Sequence, residues 1–210
     1  MNAVRRCLAL GVALAGVASA VQAGGPLVTT TTGQAVGWDT GAAVQYHTDL
    51  GGLGSLPNSA AVATVAALFD TWTVVPSAVI SFEHAASTAI DIDATNFGPF
   101  LGPYGGATAP LGQSVIAFDV DGSIFDALYG VGSGVLGFAG PVFLSDGVTT
   151  VPIGAPVPPG AKIVEGLAFL NGKWIDGVNN PSIGNYELSL DDFEAVFVHE
   201  FGHFAGLDHT

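Results

Sequence analysis

The chain has 210 residues, the length of one domain with extensions. It carries 4 Lys+Arg against 18 Asp+Glu, a formal charge of −14, so its surface repels phosphate backbones and anionic lipid and excludes a nucleic-acid or charge-driven membrane partner. Hydrophobic residues reach 49 %, enough for a core, while charged residues are only 10 % against ~25 % in an average globular protein.

The N-terminus reads as an export signal. Arg5 and Arg6 precede the apolar run Cys7 to Ala18, and Ala18-Ser19-Ala20 and Val21-Gln22-Ala23 offer small-residue cleavage sites. The apolar run is shorter than the ~20 residues that a membrane span needs. Residues 1–23 are therefore expected to be a cleaved signal peptide, the protein secreted and extracellular, with no stable membrane anchor. Cys7, the only cysteine, leaves with the signal, so the mature chain has no disulfide and no thiol chemistry.

Residues 24–37 follow as an extended, mobile lead-in, and residues 38–210 as one domain. Ala43 to His47 alternates as a strand. Asn58 or Ser59 caps a helix to Trp72, with Val62, Val65, Phe69 and Trp72 on one stripe. Ala78-Ile80-Phe82 and Ile90 to Asp93 alternate as two further strands. Gly98 to Gly112 is loop. Val115 to Phe118 and Val135 to Ala139 are short strands. Leu167 to Leu170, Asn171-Gly172 and Lys173 to Ile175 form a hairpin signal, since Asn-Gly accepts the positive φ angles of a type I′ turn. Ser189 with Asp192 makes a capping box for a last helix, Leu190 to Ala205, which Gly206 stops. This order predicts an α+β fold.

That last helix carries the chemistry. His199-Glu200-Phe201-Gly202-His203-Phe204-Ala205-Gly206-Leu207-Asp208-His209 reads H-E-x-x-H-x-x-G-x-x-H. His199 and His203, one turn apart, face the same side of the helix and can share one Zn²⁺. Gly206 permits the φ > 0 turn after which His209 supplies a third ligand. Three nitrogens leave a fourth position open, the arrangement of a catalytic rather than a structural zinc. Glu200, beside the first ligand, is placed to take a proton from water. From composition alone, a chance match has a probability on the order of 10⁻⁵. Elsewhere, Asp119, Asp121 and Asp126 form an oxygen-rich loop that fits either Ca²⁺ or a water-solvated turn.

From the zinc motif, the sequence resembles the metzincin metalloproteases, and among them the matrixins and their bacterial secreted relatives, over roughly Trp38 to Thr210. Ala67-Leu68-Phe69-Asp70-Thr71-Trp72 is similar to the first matrixin helix. Leu136, Gly137, Phe138 and Ala139 resemble the edge strand that holds an extended peptide substrate. The resemblance implies a twisted mixed sheet of about five strands with a helix in the N-terminal half and an active-site helix at the C-terminus. It also implies calcium near Asp119 to Asp126, and zinc-dependent endopeptidase activity on a protein or peptide, with His199, His203 and His209 as ligands and Glu200 as catalytic base. Matrixins continue into a Met-containing turn, so the chain is expected to be truncated before that turn. The structural zinc of vertebrate matrixins cannot be built from the two remaining histidines, His47 and His84. The alternative expectation is a catalytically incomplete, zinc-containing secreted module that binds a surface or matrix.

Overall fold

The computed structural model describes residues 25–179 and 186–209; the signal-peptide reading and Thr210 lie outside them. In chain order the elements are β1 (Val44–Thr48), α1 (Asn58–Thr73), β2 (Phe82–Ser87), β3 (Val115–Asp119), α2 (Ser123–Tyr129), β4 (Gly137–Ser145), β5 (Thr150–Pro152), β6 (Lys162–Asn171) and α3 (Leu190–Phe204). The strands form one sheet in the order β2-β1-β3-β6-β4-β5. The first four in that order run parallel, while β4 is antiparallel to both β6 and β5. This is an α+β fold, as expected, with six strands rather than about five. None of the described helices is long and apolar enough to cross a membrane.

Strand β3 is buried at every position because both of its faces are covered. Ile116 and Phe118 pack with α1 and α3, while Val115 and Ala117 pack with α2 and the 3₁₀ turn Gly98–Gly105. Helix α3 is held by an aromatic seam. Phe193, Phe197, Phe201 and Phe204 recur at helical spacing and are fully buried. Phe201 stacks on Phe69 of α1 with ring centroids 4.1 Å apart. The indole of Trp72 donates to the Val198 carbonyl at 2.9 Å, joining α1 to α3.

Several local signals gave way to tertiary demands. The expected hairpin at Asn171-Gly172 does not form. Asn171 stays extended (φ −89°), and its side chain accepts from the Lys173 N–H, capping a 3₁₀ turn Gly172–Ile175. Its amide also donates to the Val135 carbonyl at 2.7 Å. Ile90 to Asp93 is loop, not strand, because the Ile92 N–H is drawn to the buried Asp49 carboxylate at 2.9 Å. The strand expected over Ala78 to Phe82 starts at Phe82 and runs to Ser87. Pro57, not Asn58 or Ser59, occupies the N-cap of α1, and the Asn58 amide instead donates to the Asp49 and Gly51 carbonyls. The lead-in is tied down: Thr29 pairs with Ala35, and Pro26 pairs with Leu207.

Candidate metal centre

Helix α3 begins with Ser189 as its N-cap, but the reciprocal half of the capping box differs: the Asp192 carboxylate accepts from the Ser189 hydroxyl at 2.6 Å rather than from its N–H. The Ser189 hydroxyl accepts from the Asp192 N–H at 3.2 Å, and Asp191 and Asp192 occupy the first turn, where carboxylates oppose the positive end of the helix dipole. The four phenylalanines fix which side of α3 faces the core. That choice turns His199 and His203 toward the outside of the sheet layer. The helix ends at Phe204, and Gly206 adopts φ +96°, the left-handed value that lets the chain swing back. The reversal brings His209 over the helix face that carries the other two imidazoles.

The three Nε2 atoms form a closed triangle. His199 and His209 are 3.0 Å apart, and His203 lies 3.2 Å from each. Each Nε2 carries either a proton or a lone pair, so among three mutual neighbours at least two play the same role, and the three contacts cannot all be hydrogen bonds. A shared cation satisfies all three nitrogens at once. The His203 Nδ1 lies 2.7 Å from the Leu207 carbonyl. A proton on Nδ1 completes that bond and leaves Nε2 as the lone-pair nitrogen a metal needs. Burial, followed by the charges of His203 and His209, lowers the His199 pKa and favours the neutral, ligating ring. Among the described residues, this is the group of three or more His, Cys, Asp or Glu side chains that could hold a metal ion.

Glu200 reaches the free edge of the sheet. The Ala139 N–H of β4 faces its carboxylate. Burial pushes its pKa up, while His203, the Ala139 N–H and His209 pull it down. Strand β5 covers β4 only over Phe143–Ser145, so among the described residues Gly137–Gly140 has a strand on one side only. Gly137 is required there, because a Cβ would stand 2.4 Å from the Phe197 ring; α3 and β4 could not otherwise lie this close. Phe138 and Ala139 lie in β4 as expected, but Leu136 precedes the strand, and its carbonyl is taken by the Asn171 N–H. A cleft of about 350 Å³ runs along this edge, lined by Ala139, Gly140, Pro141, Tyr104, His203 and His209. A second, apolar cleft of about 370 Å³ shares Tyr104 and Ala139 to Pro141 with it. Tyr104 carries no sequence signal, since only the fold brings it to the motif.

The calcium candidates are otherwise engaged. Asp119 is buried, and its Oδ2 accepts from the Phe125 N–H at 3.0 Å, holding the start of α2. Asp121 accepts from the Ser123 N–H, and Asp126 pairs with Lys173 Nζ at 3.4 Å. The three carboxylates do not gather into a shared ligand group. Burial raises the Asp119 pKa to about 6 against the N–H groups that oppose it, and burial likewise raises Asp49 and Glu165. A carboxyl whose pKa is higher folded than unfolded stabilises the fold when protonated. That contribution is complete below pH ~3.8 and fades as pH rises through ~6. The contribution of Asp119 to unfolding free energy is therefore expected to fall by about 2–3 kcal/mol as pH rises through ~6. Urea titrations across that range check this, and the Asp119→Asn variant should show a flatter profile.

No protein-family model, curated protein or solved structure matches the chain; the functional reading rests on the geometry of the three imidazoles, Glu200 and the open edge of β4.

Proposed function

We propose that the protein is a zinc-dependent peptide-bond hydrolase acting outside the cell. The observation that carries this reading is the imidazole triangle beside a carboxylate and an unpaired strand edge. Three nitrogens held at ~2.0–2.1 Å around a tetrahedral ion stand ~3.3–3.4 Å apart. The separations of 3.0–3.2 Å here fall within a few tenths of that. An all-imidazole set suits zinc better than calcium or magnesium, which prefer oxygen. The parallel strands, the antiparallel β4 and an active-site helix after the sheet support the resemblance to metzincins.

Bound at the three imidazoles, zinc would supply Lewis acidity, polarising a substrate carbonyl and making water acidic near neutral pH. The chain's own groups do the rest. His199, His203 and His209 leave one side of the site open toward the cleft. A peptide laid antiparallel along Gly137–Gly140 adds a strand to the sheet through main-chain hydrogen bonds, and so presents a carbonyl to the site. Glu200, at the same edge, takes a proton from the attacking water and passes it to the departing amine.

The test is hydrolysis of a denatured protein or an internally quenched peptide by the purified protein. Cleavage should stop on adding a zinc chelator and return with Zn²⁺. Zinc bound without any cleavage would favour the alternative, a zinc-containing binding module. Cleavage unaffected by chelation would overturn the metal mechanism.

A further inference from the structure

The third ligand, His209, lies beyond the end of α3 and is exposed. A side chain on an exposed segment beyond a helix end loses much of its value as a ligand unless the backbone beneath it is fixed. The chain that fixes it comes from the opposite end of the described structure. The Leu27 N–H donates to the Gly206 carbonyl at 2.8 Å, and the Asp208 N–H donates to the Gly25 carbonyl at 2.9 Å. Pro26 and Leu207 form the antiparallel bridge between these bonds.

The segment is itself anchored. The Val36 N–H donates to the Val28 carbonyl at 3.0 Å, and the Thr31 N–H donates to Val157. Trp38 then stacks on Phe204 and donates its indole N–H to the Phe204 carbonyl at 2.8 Å. Residues 25–38 thus supply donors to the Phe204 carbonyl, which the helix end leaves without an intrahelical partner, and to the Gly206 carbonyl just beyond the helix.

We propose that Gly25–Leu27 is a positioning element of the metal centre, which holds Gly206–Asp208 in register and so makes His209 a full ligand. The inference rests on the reading of the triad as a metal site and adds that metal affinity is set by a segment remote from it in sequence.

The test is a double-mutant cycle in the full chain, read by zinc affinity in chelator competition and by the visible spectrum of the Co²⁺-loaded protein. Leu27→Pro removes the N–H that bonds Gly206. With His209 present, it should weaken zinc binding about tenfold or more, the range for groups that orient ligands. In the His209→Ala background it should change affinity less than about twofold. The Co²⁺ spectrum of Leu27→Pro should move toward that of His209→Ala, reporting loss of one nitrogen. Equal weakening in both backgrounds, or no weakening with His209 present, overturns the proposal while leaving the metal site intact. An unmutated chain that binds no zinc overturns both readings. If Leu27→Pro loses the far-ultraviolet circular dichroism of the fold, deletion of Gly25–Leu27 takes its place in the same cycle.

Discussion

Replacing Glu200 by Gln is expected to lower the kcat of peptide hydrolysis by about 10²–10⁴-fold, the usual contribution of a positioned general base, while zinc content stays unchanged. The amide keeps the shape of the side chain and an oxygen that can face the Ala139 N–H as the carboxylate does. It cannot take up a proton. None of the three imidazoles depends on Glu200 for its closest contacts, which are to one another and to Leu207. Steady-state cleavage of one peptide, measured beside the metal content of both proteins, separates the two effects. A kcat within tenfold of the unmutated protein would remove Glu200 from the reaction, and loss of zinc would reassign it to the metal site.

The second large effect is on stability. Phe201 is fully buried and lies face to face with Phe69, the two rings only 6° from parallel. Phe69 in turn meets Phe82 at 4.4 Å and Phe204 at 5.3 Å, so the stack ties α1, β2 and α3 together. Phe201→Ala removes a ring that its neighbours cannot collapse to replace, and is expected to cost about 3–5 kcal/mol. Phe201→Leu, which refills part of the space, should cost clearly less. Urea unfolding of the metal-free proteins measures this without a contribution from bound ion. A loss below about 1 kcal/mol for the alanine variant would mean that the seam is not what holds α3 on the sheet. Because Phe201 lies between His199 and His203 on the same helix, the core and the metal centre share one rigid element, which is how a site this exposed keeps its geometry.

What the sequence made legible was what local physics decides. The i, i+4 spacing of His199 and His203, the Gly206 stop and the Ser189 cap are all properties of a single helix and its ends. The phenylalanines of α3 and the Val65–Phe69 stripe of α1 likewise announce their buried faces by period alone. The failures share a cause, a distant group with a stronger claim on a backbone atom or side chain. Asn171-Gly172 has the composition of a hairpin turn, but the Asn171 side chain is committed to Val135 and Lys173. Ile90 to Asp93 has the alternation of a strand, but buried Asp49 holds the Ile92 N–H and the Phe118 N–H together. Glu165 shows the same pattern, reaching from β6 to the N–H groups of Gly112 and Gln113. The pairing of Gly25–Leu27 with Gly206–Asp208 joins segments near opposite ends of the chain, and no window of sequence contains both.

The central claim is that three imidazoles converge on a single divalent ion and leave it one open coordination position. X-ray absorption at the zinc edge of the purified, zinc-loaded protein, with metal counted per chain, tests it most directly. The account predicts one zinc per chain, with three imidazole nitrogens at ~2.0–2.1 Å, one further light ligand and no sulfur. A folded protein that takes up no zinc, or a bound zinc whose first shell is unchanged in the His203→Ala and His209→Ala variants, would contradict it.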